Sequence, residues 1–364
     1  MIDISKPFIG DEEKKAILNV LDSGMIAQGP KVNELEQKFA DYCGTKHSVA
    51  FNSGTAALHT GLHVMGIGKG DEVITTPFTF IATANVILMQ QAKPIFADID
   101  EQTFNIDPVS VQEKITDKTK AIITVNLYGQ LCDYDNITKI SGKKGILILE
   151  DTCQAIGAQY NGKMAGSFGD VGAFSFYATK NITCGEGGAI TTDNKEFAEK
   201  SKLFRQHGMS TIGAYDYDDI GYNYRMTDIN AAFLLEQLKK VDEINVKRIK
   251  NAAYLSEQLG RINGIEVPFV KKGYKHVFHQ YTIKVNGFNI SRDKLAERLK
   301  SKGIGCNVYY PMPLHLCANF RKFGYKKGDF PITEKISQQV LSLPVHPSLE
   351  ENDLKFIVDT IKNI

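Results

Sequence analysis

Long apolar runs are missing from this 364-residue sequence. None approaches the roughly 20 residues that span a bilayer, so no membrane-spanning helix is expected. The first 21 residues carry Asp3, Asp11, Glu12 and Glu13 instead of a basic segment followed by an unbroken apolar stretch. No secretory signal is read there, and the cytoplasm is the expected location. An excess of charge is missing too: Lys plus Arg is 43, Asp plus Glu is 42, and the net charge is +1. That balance leaves no footprint for nucleic acid or an anionic membrane, and neither partner is expected. The six cysteines (Cys43, Cys132, Cys153, Cys184, Cys306 and Cys317) form no CxxC pair and no metal-ligand spacing. They read as free thiols in a reducing compartment, and no metal is expected. Repeats and low-complexity tracts are absent. So is a GxGxxG after the first strand, because Gly66-Ile67-Gly68-Lys69-Gly70 precedes a strand and has the wrong polarity for a dinucleotide-binding turn. A Rossmann dehydrogenase is thereby excluded.

What is present is an ordinary globular composition, 43% hydrophobic and 23% charged, with a length that suggests two domains. Val32, Leu35, Phe39 and Tyr42 share one helical face, and Gly44 follows as a stop. A strand over 48–51 leads into Asn52-Ser53-Gly54-Thr55 and a helix over 56–65. Further short apolar segments lie at 72–76, 94–96, 121–125, 145–149, 173–176 and 189–191. Most are separated by stretches long enough for crossovers, which predicts an α/β fold with a mainly parallel sheet covered on both faces. Thr227 suits an N-cap for a helix through Lys240, and a second helical run continues to Leu259. Beyond Gly260 come isolated strands (280–285, 306–310) and helices (291–302, 353–362), read as a smaller α+β unit. The expected division is a large domain over 12–245 and a small one over 246–364, with residues 1–11 packing near the latter.

Four features of the larger part fit one ligand. Ser53-Gly54-Thr55 opens a helix, where unpaired N–H groups attract an anion and Gly54 permits close approach. Plain capping by Ser53 is the competing reading. Asp151 follows a buried apolar run and stands where open α/β sheets bind ligands, able to keep a ring nitrogen protonated; the alternative is a helix cap. Ser175-Phe176-Tyr177-Ala178-Thr179-Lys180 carries a hydroxyl and an amine out of the core beside aromatic and small residues. Desolvation there would favour a neutral amine, the nucleophile of Schiff-base chemistry; an arbitrary lysine is a solvated surface group. Phe80, in Thr76-Pro77-Phe78-Thr79-Phe80, offers a flat face for a heteroaromatic ring, against simple core packing. An anion cradle, a ring platform, a carboxylate and an amine are together the parts that hold pyridoxal 5'-phosphate.

The order SGTAAL, TPFTFIATAN, LYGQ, EDTCQAIGA, SFYATKN, GEGGAITT, Phe204-Arg205-Gln206-His207-Gly208 and GYNYRMTDINAA resembles the DegT/DnrJ/EryC1/StrS family of nucleotide-sugar aminotransferases. The resemblance continues through Tyr309-Tyr310-Pro311-Met312-Pro313-Leu314-His315 and covers essentially the whole chain. It implies the fold-type-I architecture of pyridoxal-phosphate transferases (aspartate aminotransferase-like), with a mainly parallel seven-stranded sheet. Lys180 would form the Schiff base and move the proton, and Asp151 would pair with the pyridinium nitrogen. Gln154 would bond the phenolic oxygen, and Phe80 would stack on the ring. Gly54, Thr55 and Ser175 would hold the phosphate together with Asn223 from a second subunit, implying a homodimer with shared active sites. Tyr309 and His315 would lie near the sugar nucleotide. The implied reaction moves the amine of L-glutamate to a keto carbon of a nucleotide-linked deoxysugar.

Relatives acting on 4-keto sugars often carry GEGG, as at Gly185-Glu186-Gly187-Gly188, where those acting on 3-keto sugars carry GDGG. C4 amination of the perosamine type is therefore favoured over C3 or cyclitol amination. Asn126 stands where many relatives have His, and Ala178 replaces a frequent Pro. The intact Lys180 excludes the dehydratase offshoot in which His takes its place. The reading from another class is a regulatory protein that keeps the fold without turnover; keeping the amine, the carboxylate and a split phosphate site argues against it.

Overall fold

A computed structural model describes residues 1–210 and 216–364. Nine strands precede residue 193. They are β1 (His47–Phe51), β2 (Glu72–Thr75), β3 (Lys93–Phe96), β4 (Thr119–Val125), β5 (Leu147–Asp151), the short pair β6 (Gln159–Tyr160) and β7 (Lys163–Met164), β8 (Val171–Ser175) and β9 (Gly188–Thr192). Seven of them form one sheet in the order β1-β9-β8-β5-β4-β2-β3. β3, β2, β4, β5 and β8 pair in parallel, and β9 runs antiparallel to both β8 and β1. The central strands are buried on both faces, which is why 121–125 reads as an unbroken apolar run rather than an alternating one. One apolar layer lies under the helix Gly54–Val64, and two others cover the opposite side.

The helix Pro30–Cys43 starts with proline in its first turn, ends at Gly44, and buries Val32, Leu35 and Phe39. Each such side chain contributes about 1.5–3 kcal/mol on leaving water. Its first turn has no cap of its own, because Gly29 has no side chain. Asp228 supplies the acceptor from across the fold, taking N–H bonds from Gly29 (2.8 Å), Lys31 (3.0 Å) and Val32 (3.0 Å). Asp228 in turn opens the helix Asp228–Leu259, whose N-cap Thr227 accepts from the Asn230 N–H.

That helix is a single element of 32 residues rather than two runs, and position 245 lies inside it. Its last quarter, from Ala252, packs into a second core with Ile2, Leu295 and Leu341. The remaining strands are β10 (Ile265–Glu266), β11 (Tyr274–Lys275), β12 (Tyr281–Val285) and β13 (Val340–Leu343). β10-β12-β13 form a three-stranded antiparallel sheet against this core. β11 joins β6 and β7, tying the C-terminal part back to the large sheet's side of the molecule. Two expected strands differ. The fifth strand begins at Leu147 and carries on through Asp151, and 306–310 forms only the bridge Asn307 to Ser342 before Tyr309 and Tyr310 turn into a cavity. No helix among the described residues is long and apolar enough to cross a membrane.

Candidate active site

A cavity of about 550 Å³ opens at the carboxyl ends of β5 and β8. In open α/β sheets this is where ligands bind, since the strand ends present side chains and helix N-termini together. Gly54, Thr55, Phe80, Asp151, Gln154, Ser175 and Lys180 all line it, so seven residues singled out from the sequence converge on one space. A groove of about 560 Å³ between 100–112 and 131–143 holds none of them.

The cradle is built by close packing. Ser53 caps the helix with its hydroxyl accepting from the Ala56 N–H at 3.2 Å, so the capping reading holds and leaves the Gly54 and Thr55 side of the turn facing the cavity. A Cβ on Gly54 would stand 2.7 Å from Ser175 Cβ and 3.1 Å from Cys153 Sγ, so no larger residue fits there. Strand end and helix start are thereby held in contact, and the Ser175 hydroxyl sits beside the first-turn N–H groups. That is a fitting receptacle for a phosphate.

Asp151 is the last residue of its strand, 5% exposed, and does not cap a helix. Its Oδ2 accepts from Thr83 Oγ1 at 2.7 Å and its Oδ1 from the Cys153 N–H at 3.2 Å. The neighbouring Glu150 points to the other face of the sheet, where the N–H groups of Gly166, Phe168 and Gly169 bind it. Only one of the two adjacent carboxylates is therefore available to a ligand.

Lys180 stands on a loop closed by its own N–H to the Tyr177 carbonyl (2.9 Å). The loop base is zipped by Phe176 N–H to Gly187 and Cys184 N–H to Phe176. Asn181 anchors the far side, donating to Asn245 Oδ1 (2.8 Å) and the Val277 carbonyl (3.1 Å). The amine is half-buried, enclosed by protein yet open to the cavity. Desolvation lowers its pKa from the usual lysine value, opposed by the nearby Cys153 and Asp151. Among the described residues it makes no ion pair. His279 beside it is held neutral, its pKa pushed well down by burial and then by Lys180 and Arg248.

Phe80 is 57% exposed, so it is no core residue; its ring is presented to the cavity. Gln154 is oriented by two contacts: its Oε1 accepts from the Tyr128 N–H (2.9 Å), and its Nε2 donates to the Tyr310 hydroxyl (3.1 Å). This leaves one amide hydrogen of Nε2 for a ligand oxygen. Tyr128 adopts φ of 57° although it is not glycine, and its hydroxyl donates to the Tyr309 carbonyl. At Gly129 a Cβ would lie 2.9 Å from the Phe278 nitrogen, so the 128–129 turn packs directly on the 277–280 backbone. Val277 N–H and Gln280 N–H bond the Gly129 and Tyr128 carbonyls there.

Tyr309 reaches the cavity as expected from the sequence, together with Tyr310. His315 does not. It is fully buried, edge-on to Phe330, with its Nε2 paired to Glu334 Oε1 at 3.0 Å. The turn after Pro313 carries the ring inward to an apolar cluster rather than toward the site. Asn223 is also absent from this cavity's wall; it is exposed, and its carbonyl accepts from Asn52 Nδ2 at 3.2 Å. Asn126 is buried, accepting from the Cys132 N–H and the Tyr134 hydroxyl, so it braces the loop after its strand. Residues that the sequence reading passed over are Thr79, Thr83, Tyr128, Cys153, Tyr177, His279, Gln280 and Tyr310. The spacing of Thr79 and Thr83, four apart at a helix entrance, was the one local signal available.

An amine, a carboxylate, an exposed aromatic face and a cradle too tight for a Cβ fit pyridoxal phosphate. The comparisons agree. The chain is 38% identical to the GDP-perosamine synthase of Caulobacter vibrioides, covering 100% of this chain and 98% of that one. It is 42% identical to a pleiotropic regulatory protein of Geobacillus stearothermophilus, over 99% and 97% of the two chains. Its structure resembles Spr1654 of Streptococcus pneumoniae, described as a sugar aminotransferase and solved in PLP- and PMP-forms. For the PMP-form the TM-score is 0.95 at 31% identity, covering 100% of this chain and 97% of that one. A match to the DegT/DnrJ/EryC1/StrS aminotransferase family spans residues 7–362, and the chain belongs to that family, whose cofactor is pyridoxal phosphate.

Proposed function

We propose that this protein transfers the amino group of L-glutamate to the keto carbon, C4 in preference to C3, of a nucleotide-linked deoxysugar. The observation that carries the proposal is the convergence of Lys180, Asp151, Phe80 and the Gly54/Ser175 cradle on one cavity of about 550 Å³. Bound there, pyridoxal phosphate supplies an aldehyde for an amine and a ring that delocalises the electrons left when a Cα proton is removed. Lys180, its ammonium disfavoured by burial, is the nucleophile and the group that carries the proton. Asp151 holds the ring nitrogen protonated, and Gln154 donates to the phenolic oxygen. Phe80 covers one ring face. Thr55, Ser175 and the N–H groups beside Gly54 take the phosphate. Tyr309 faces the sugar nucleotide.

We further propose a homodimer in which Asn223 completes the phosphate site of the partner subunit. Its exposure, next to the exposed apolar Ile220 and Tyr222, supports this, as does its absence from its own cavity. Preference for C4 rests on Glu186, which lines the cavity within the GEGG motif, and on the likeness to a GDP-perosamine synthase. A regulator without turnover would have no use for a desolvated amine facing a carboxylate across an open cavity.

The test is incubation of pyridoxal-phosphate-loaded protein with glutamate and a panel of UDP-, dTDP- and GDP-linked 3-keto and 4-keto deoxysugars. Product mass and the aminated carbon are read by mass spectrometry and NMR. A 4-amino product is expected. Amination of C3 alone would overturn the positional assignment, and no transfer from glutamate to any member would overturn the donor and substrate class together.

A further inference from the structure

We infer that Thr83 is a positioning residue for Asp151, and that Thr79, Thr83 and Asp151 form a directed hydrogen-bond chain setting how firmly a ring nitrogen at the site keeps its proton. The inference rests on the reading of Asp151 given above. Thr83 lies in the first turn of the helix Ala82–Met89, whose N-cap Ile81 has no polar side chain. A threonine in such a place usually bonds the nearby backbone. Here its hydroxyl reaches to a carboxylate 68 positions along the chain, at 2.7 Å. Thr79 Oγ1 lies 3.0 Å from Thr83 Oγ1. Both threonines are 1% exposed.

The direction of the chain follows from valence. An ionised carboxylate only accepts, so the single proton of Thr83 points to Asp151, and Thr79 must then donate to the oxygen of Thr83. Successive donors polarise one another and strengthen the last bond. The second carboxylate oxygen is held by the Cys153 N–H. With one donor on each oxygen the carboxylate plane is fixed, and the remaining lone pairs are those that face the cavity. The titratable groups that act on or around Asp151 are Lys180, Cys153, Tyr310 and Cys132, and only Lys180 among them can be cationic. Donated hydrogen bonds therefore carry much of the anion's stabilisation. Without the Thr83 hydroxyl, Asp151 competes better for the proton it shares with the ring nitrogen, and the ring becomes a poorer electron sink.

The experiment uses the holoenzyme with Thr83→Val, which keeps the shape and removes the donor, beside Thr83→Ser, Thr79→Val and Asp151→Asn. Two quantities are read. One is the pKa of the Lys180-linked chromophore from its visible absorption; the other is the single-turnover rate with glutamate. Each protein is loaded with pyridoxal phosphate and, separately, with a 1-deaza analogue lacking the ring nitrogen. Thr83→Val is expected to raise the chromophore pKa by about half to one unit and slow the half-reaction roughly tenfold to a hundredfold. Thr83→Ser should stay within about threefold of the parent, and Thr79→Val should shift both quantities less, in the same direction. With the nitrogen-free analogue the parent and Thr83→Val should agree within about twofold. The inference is overturned if Thr83→Val matches the parent while Asp151→Asn does not, or if its deficit persists with the analogue. If Asp151→Asn itself moves neither quantity, the role given to Asp151 fails and this inference with it. Should Thr83→Val not fold, Thr79→Val decides by the same two criteria.

Discussion

The cavity has two walls of different construction. On the sheet side, Asp151 and Ser175 end strands, and Gly54 begins a helix. The two strand ends are held by ladder bonds, and Gly54 by close packing on Ser175. On the C-terminal side, His279, Gln280, Tyr309 and Tyr310 sit on irregular segments. Those are tethered by the Tyr128–Gly129 turn and by Arg248, whose guanidinium donates to the carbonyls of Phe278 (3.1 Å) and His279 (3.4 Å). Asp151, Ser175 and Gly54 thus stand on the regular wall, Lys180 leaves that wall on a loop closed at its base, and the irregular wall supplies shape and orienting contacts.

The strongest way to break this contrast is to remove the amine. Lys180→Ala should lower turnover by about 10⁴-fold or more while the protein stays folded. Steady-state assays beside circular dichroism check this, and turnover at the parent rate would collapse the division. Acid probes the scaffold behind each wall. His59 (about 4) and His276 (about 3) are both pushed below the ordinary imidazole value by burial, so both rings are neutral in the folded chain. Below about pH 6.5 the unfolded state binds more protons, so stability falls as pH drops from there toward those lower values. For His59 the loss amounts to up to roughly 3 kcal/mol. Thermal midpoints at pH 7.5 and 5.0 should show it, with His59→Gln and His276→Gln each flattening the difference; an unchanged slope in both would contradict it. The smallest effect is on the irregular wall. Tyr310→Phe removes the acceptor of Gln154, worth about 1 kcal/mol, and should raise KM roughly fivefold with kcat little changed. A kcat loss as deep as that of Lys180→Ala would place the tyrosine with the chemistry instead.

Much of the site could be read along the chain because its residues stand beside the signals that place them. Lys180 follows an apolar strand and five residues later comes a glycine-rich loop; Gly54 sits between a strand and a helix. Asp151 was assigned just past its strand and lies within it, since a polar residue at a strand end breaks the apolar pattern without breaking the ladder. Phe80 could not be told from a core phenylalanine, as apolarity alone does not say which side of a turn a ring leaves from. His315 was misplaced for the same reason: a motif fixes spacing, and the turn after Pro313 decides that the ring goes inward to Glu334.

The α/β class, the mainly parallel sheet and an amine and a carboxylate standing beside strand ends were legible in the sequence alone, through local patterns of apolar periodicity and residue chemistry. Tertiary structure decided what those patterns do not contain: that Thr83 holds Asp151, and that Tyr128 and Tyr310 orient Gln154. These are three contacts between positions from 26 to 156 residues apart. No window of sequence encodes such a distance; it appears only once the strands have stacked in their order and brought the partners together.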